Sequence, residues 1–213
     1  MTEDQATSIL AYTKALHPTG RRIVIGLHGF DEDHEEGLRY AQALDPESHA
    51  YAPGSPRPVS PRFHNALENE QVLHGKLWFI ERDGYVEPSM FGDNLRQVEA
   101  FLRDTIARDA RADDVPLSIV GRGQGGTLAL LMGAIWPELV DQVVAIDANL
   151  PVVPGWSMPE RDLSGLEVHL VRTRSLPDPK ATKTTLQQLG ADVTETELEE
   201  GVAIEAALSG LAR

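Results

Sequence analysis

Phe91, Leu95, Val98, Leu102 and Ile106 recur every three or four positions, the spacing that lays apolar side chains along one stripe of a helix. Shorter apolar runs without that period flank this segment. Arg22 to Leu27 (R-I-V-I-G-L), Leu117 to Val120, Gln142 to Ile146, Leu166 to Val171 and Val193 to Leu198 read as strands, and another short strand ends at Tyr51-Ala52-Pro53-Gly54. Short runs rich in Val and Ile suit strands covered on both faces. Further helices are predicted over Asp31 to Leu44, Thr127 to Trp136, Lys180 to Leu189 and Val202 to Leu211. Strands alternating with helices predict an α/β protein, a doubly wound and mostly parallel sheet flanked by helices. No repeat or linker divides the chain, so one domain is expected over residues 1–213. The stretch from Ser55 to Gly75 opens with Pro56, Pro58 and Pro61, lacks periodicity and reads as a long loop. Loops of that length are often lids or binding loops.

Composition narrows the partners. Thirty-three acidic residues against 19 basic give a formal charge of -14. Such a surface repels phosphate backbones and anionic lipid, so neither nucleic acid nor membrane is expected as a partner. Met1 to Gln5 is acidic and precedes no apolar core, so no signal peptide is evident and a cytoplasmic location is expected. With no cysteine in the chain, disulfides, thiolate metal sites and a cysteine nucleophile are excluded. The run Asp31-Glu32-Asp33-His34-Glu35-Glu36 reads as a solvated helix start, because its spacing defines no ligand face; neither a metal nor another cofactor is expected.

One turn carries the chemical information. Gly121-Arg122-Gly123-Gln124-Gly125-Gly126 follows the strand ending at Val120 and opens the helical run from Thr127. Strand, glycine-rich turn and helix are the context of a G-x-S-x-G nucleophile elbow, whose central side chain stands at the top of the sheet. Here the centre is Gly123, which has no side chain.

Several segments together resemble the phospholipase/carboxylesterase branch of the α/β-hydrolase fold. Leu27-His28-Gly29-Phe30 is similar to its strand-to-oxyanion-loop segment, and Tyr51-Ala52-Pro53-Gly54-Ser55-Pro56 to its next strand and proline-rich loop. Leu77-Trp78-Phe79 resembles its W-F pair, Gly121 to Gly126 its G-x-S-Q-G-G elbow apart from the centre, and Ile146 to Pro151 its I-S-G-x-L-P segment. Gly190-Ala191-Asp192-Val193 is similar to the turn before its last strand. The resemblance runs over residues 20 to 212 and implies an α/β-hydrolase fold. It also implies an acid near Leu176 and a histidine near Val202, and the chain has neither there. Nucleophile, acid and base are therefore all replaced at the triad positions.

Ligands of open parallel sheets sit beyond the carboxyl ends of the strands. Those ends nominate His28, Arg122 and Asp147 as catalytic candidates, with His28 as acid or base and Asp147 as acid beside a loop histidine as base. They nominate Phe30, Gly123, Gln124, Gly125, Asn149, Arg172 and Arg174 as binding candidates. Backbone N–H groups of Phe30, Gln124 and Gly125 could form an oxyanion hole without a nucleophile. Arginines could hold an anion bidentately or could pair with nearby acids such as Asp147 and Asp178. His64 and His74 lie in the long loop; Trp78, Phe79, Trp156 and Met158 are expected as apolar walls or core.

Three functions fit these residues. The first is a non-hydrolytic enzyme that cyclises, eliminates or isomerises a small acidic or carbonyl compound. The second is a pseudohydrolase that binds a small anionic or carbonyl-containing ligand, or a protein partner. The third is a hydrolase with relocated groups, which suffers because Ser118 falls mid-strand and Thr127 inside the helix. A homodimer is compatible with all three.

Overall fold

The β-branched runs become the inner strands of a seven-stranded sheet, and the helical stripes close over its two faces. The computed structural model describes residues 8–59, 75–82, 84–109, 115–173, 179–199 and 201–211. In chain order the strands are β1 (Tyr12–Leu16), β2 (Ile23–Leu27), β3 (His49–Pro53), β4 (Glu81–Arg82), β5 (Tyr85–Val86), β6 (Leu117–Arg122), β7 (Gln142–Ile146), β8 (Glu167–Arg172) and β9 (Asp192–Glu197). The described helices are α1 (His34–Leu44), α2 (Pro88–Asp109), α3 (Gln124–Ile135), α4 (Lys180–Gln188) and α5 (Ile204–Leu208).

The sheet runs β1-β3-β2-β6-β7-β8-β9, and β4 pairs with β5 as a separate two-stranded hairpin. Every neighbouring pair in the large sheet is parallel except β1 with β3. Alternation along the strands divides the core. Ile23, Ile25, Leu27, Ile119 and Val143 face Phe91, Val98, Leu102 and the residues of α3 on one side. Val24, Val120, Val144 and Val171 face Tyr40, Ala41 and Leu44 of α1 and Leu208 of α5 on the other. Ten residues of α3, from Gly125 to Ala134, are buried. That is why the helix reads as apolar all round rather than striped.

Some boundaries differ from the sequence expectation. The first helix begins at His34, because Asp33 caps it: the Glu35 N–H donates to Asp33 Oδ1 at 2.8 Å and the Asp33 N–H to Glu36 Oε2 at 3.1 Å. Strand β1 escapes the pattern because it is an edge strand with half of each repeat exposed. Lys76 to Ile80 returns the chain to the body of the domain, tied by isolated bridges of Lys76 to Glu32 and Pro58. The last helix covers only Ile204–Leu208 within the expected 202–211. Most of the loop from Ser55 to Gly75, with His64 and His74, lies outside the described residues. Among the described residues, no helix is long and apolar enough to cross a membrane.

Candidate functional site

Four adjacent strand ends converge at one edge of the sheet. Strand β2 runs into His28-Gly29-Phe30, β6 into Gly123, β7 into Asp147 and β8 into Thr173. The ladders continue one step past the strands: the Gly123 N–H donates to Ile146 O and the Asp147 N–H to Val171 O, both at 2.8 Å. These bonds fix the two turns at the rim of the site.

Gly123 sits between β6 and α3 at φ 51 and ψ -116, and its carbonyl accepts from the Thr127 N–H at 2.9 Å, closing the first turn of the helix. This left-handed φ is the strained turn expected of a nucleophile elbow. A Cβ placed on Gly123 would meet nothing within 4 Å. The next glycines serve contact rather than torsion. A Cβ on Gly125 would lie 2.3 Å from Leu27 O and 2.4 Å from His28 O, and one on Gly121 would lie 2.4 Å from Gly125 C and O. Helix α3 therefore presses its first turn directly onto the ends of β2 and β6. Its early N–H groups at Gln124 and Gly125 have no acceptor within the helix and carry partial positive charge.

A cavity of about 830 Å3 opens over this turn. Gly123, Gln124, Thr127, Asp147, Ala148 and Asn149 form its floor; Phe30, Leu77, Phe79, Val86, Leu150 and Val152 supply apolar walls. Its hairpin wall is tied down by Val86 N–H donating to Val152 O at 3.1 Å. Phe30, 42% exposed, stands at the mouth. Among the described residues no Lys, Arg or His lines the cavity, and no group of three or more His, Asp or Glu is arranged to hold a metal ion.

The histidine candidate is elsewhere. His28 is fully buried and stacks on Trp78 with ring centroids 4.7 Å apart. Its Nε2 accepts the Ser55 N–H at 3.0 Å, so Nδ1 carries the proton and donates to Gly29 O at 2.8 Å. Burial pushes its pKa down from 6.5 to about 4, outweighing the Gly29 carbonyl and the Glu32 charge. With both nitrogens committed and no face on the cavity, His28 holds the loops together rather than acting as acid or base. Trp78 belongs to the same strut, its indole N–H donating to His28 O at 2.8 Å.

The two described arginine candidates, Arg122 and Arg172, are likewise committed. Arg122 Nη1 donates to Glu32 Oε1 at 3.0 Å, and its Nε lies 3.8 Å from Asp147 Oδ2. Glu32 also accepts the Gly29 N–H at 2.7 Å and the Tyr40 hydroxyl at 2.8 Å. Burial opposes the charge on Arg122, but Tyr40, Glu32 and Asp147 together raise its pKa. Burial and the Glu32 charge push the Tyr40 phenol well above its ordinary range. Arg172 reaches sideways to Glu195 at 3.4 Å and Glu197 at 3.0 Å on β9. The expected anion clamp is thus taken up by acids of the chain itself, and Arg174 lies outside the described residues.

Asp147 lines the cavity, but its carboxylate accepts both the Thr173 N–H at 2.7 Å and the Thr173 hydroxyl at 3.0 Å. Its own φ of 51 is unusual for a residue with a side chain. Asn149 is positioned by α4, where the Thr182 hydroxyl meets its Oδ1 at 3.1 Å. The Gln124 amide is tied to the wall: Oε1 accepts the Trp78 N–H at 2.8 Å while one N–H of Nε2 donates to Phe79 O at 2.7 Å.

Sequence reasoning missed Glu32, Tyr40 and Thr173, which hold the charged candidates, and Glu81, Val86 and Val152, which complete the cavity. Glu32 was visible only as one acid in a run of six residues. The D-x-x-E spacing of Asp33 and Glu36 was a readable capping signal within it.

Solved structures match this arrangement of strands, helices and turns along nearly its whole length. A carboxylesterase from Mesorhizobium loti superposes with a TM-score of 0.72 at 18% identity, covering 92% of this chain and 95% of its own. The Bacillus cereus carboxylesterase gives 0.69 at 15% identity, covering 97% and 93%. A phospholipase/carboxylesterase from Dyadobacter fermentans gives 0.64 at 16% identity and 95% of both chains. The chain has the α/β-hydrolase fold. Its sequence matches no protein-family model and no curated protein. In α/β-hydrolase terms, the cavity lies over the elbow, at the carboxyl edge of the sheet where ligands of such folds bind.

Proposed function

We propose that this chain is an α/β-hydrolase scaffold that binds without cleaving, taking a small, largely apolar compound with a carbonyl group into the cavity over Gly123. The carbonyl oxygen faces the N–H groups that open α3, and the apolar part lies against Phe30, Phe79, Val86 and Val152.

Gly123 carries this reading. Acyl transfer needs a nucleophile and a base within hydrogen-bond reach, and at this turn there is a backbone suited to a serine but no hydroxyl. The base position near Val202 holds an exposed apolar residue, and no described histidine lines the cavity. Asp147 has its oxygens engaged by Thr173. Cyclisation, elimination or isomerisation steered by arginines has less support, because Arg122 and Arg172 already face acids. An anionic ligand loses the same groups, which leaves a carbonyl compound without a carboxylate.

The test pairs turnover with binding. Phenyl and nitrophenyl esters of short acids should raise the melting temperature while remaining intact after hours with the folded protein. Release of alcohol that follows protein concentration and stops on denaturation would overturn the reading.

A further inference from the structure

We infer that the cavity selects by charge, preferring a ligand whose carbonyl group is accompanied by an ammonium group and disfavouring a carboxylate. This rests on the reading of the cavity as a ligand site and adds the class of compound it takes.

The inference comes from the ionisable groups around the cavity. Among the described residues, the charged ones lining it are Glu81 and Asp147, both acids. Asp147 shares Arg122 with Glu32, so that cluster holds two carboxylates and one guanidinium and stays negative. Glu81 lies on the exposed β4 strand at the other wall, and no described residue forms an ion pair with it. An unpaired carboxylate at a concave wall attracts a cation and repels an anion more than it would on a flat surface, because low-dielectric walls focus the field. The chain's net charge of -14 reinforces the sign.

One feature favours negative charge: the N-terminus of α3, equivalent to about half a positive charge. It is local to the elbow, where a carbonyl oxygen with its partial charge is enough to use it. The two ends of the cavity thus ask for different groups, an oxygen acceptor at Gln124 and Gly125 and a cation by Glu81. Phe30 and Phe79 between them suit an aromatic or aliphatic body. Stacking of an ammonium group on these ring faces adds to the preference.

Three esters that differ at the end away from the carbonyl test this by calorimetry at pH 6 and low salt: methyl 3-phenylpropanoate and its analogues carrying an aminomethyl or a carboxyl group on the ring opposite the chain. They place hydrogen, ammonium or carboxylate at the far end of the same molecule, with the ester carbonyl unchanged. An exposed pair of opposite charges corresponds to roughly a two- to fivefold change in affinity. The ammonium ester should therefore bind about threefold more tightly than the neutral ester, and the carboxylate ester about threefold more weakly. In Glu81→Gln the ratio of ammonium to neutral ester should fall towards one, and 0.5 M salt should compress it in the wild type. A carboxylate ester that binds as well as the ammonium ester, or a ratio indifferent to Glu81→Gln, overturns the charge selection while binding of the neutral ester keeps the cavity a ligand site. Failure of all three to bind overturns both.

Discussion

Arg122 and Glu32, 90 positions apart, meet at 3.0 Å and join the end of β6 to the loop after β2. Glu32 in turn clamps the Gly29 N–H and the Tyr40 hydroxyl. The pair is therefore a brace for the loop after β2. Arg122→Met should lower stability by about 1–2 kcal/mol, less than for a fully buried pair because the guanidinium is 41% exposed. In a protein of this size each kcal/mol is roughly 2–4 °C in melting temperature. A double-mutant cycle with Glu32→Gln should show coupling between the two sites; simple additivity would mean the brace carries no energy.

Gly123 and Gly125, two positions apart in the elbow, serve it for unlike reasons, and alanine separates them. Gly123→Ala meets no atom and should cost only the strain of a side chain at positive φ, about 1–2 kcal/mol. Gly125→Ala drives a methyl group into the carbonyls of Leu27 and His28 and should cost upwards of 3 kcal/mol or prevent folding. Urea denaturation of the two variants gives the order directly. Similar midpoints would contradict the close approach of α3 to β2.

Acid should loosen the protein through His28. A ring whose folded pKa is about 4 takes up protons more readily once the chain unfolds, where its value is 6.5. Its contribution is therefore whole above pH 6.5, declines as pH falls towards 4, and is constant below that. At about 1.4 kcal/mol per tenfold change the loss amounts to roughly 3 kcal/mol. Stability measured from pH 7 to pH 4 should fall less steeply in His28→Gln than in the wild type, whatever the variant's stability at pH 7. Parallel slopes would place the acid sensitivity elsewhere.

Gln124 is a strut whose loss should be felt at the wall it supports. Its amide holds the backbone of Trp78 and Phe79. Gln124→Ala should cost about 1–3 kcal/mol by leaving those buried groups unpaired. It should also weaken ester binding severalfold, because Phe79 is no longer fixed. Gln124→Glu keeps the acceptor for the Trp78 N–H but sets a carboxylate oxygen against Phe79 O, so it should cost at least as much as Gln124→Ala in both measurements.

The inner strands β2, β6, β7 and β8 were legible because covering both faces forces unbroken runs of Val, Ile and Leu. Strand β1 was not, since an edge strand with one open side needs no such run. The hairpin of β4 and β5, two residues each, is shorter than any period can reveal. The turn at Gly123 could be read from local sequence because its glycines answer to local geometry. The fate of the charges could not. Arg172 finds Glu197 across a strand pair, and His28 finds Ser55 across a loop, at separations that no local pattern encodes. The sequence therefore pointed to the strand ends that build the site, while which side chains remain available there depended on partners folded in from afar.

The room above Gly123 has a practical consequence. A hydrolase elbow holds a side chain on a backbone that resists it, and the neighbouring contacts supply the restraint. Here the restraint lies in the bond from Gly123 to Ile146 and the press of Gly125 on β2, and position 123 itself carries no side chain. Position 123 is thus a rigid, vacant socket facing a cavity of about 830 Å3. A cysteine installed there would be the sole thiol of this sequence, which otherwise has none. Any electrophile, dye or synthetic catalyst attached to it would be aimed into the pocket by the fold itself.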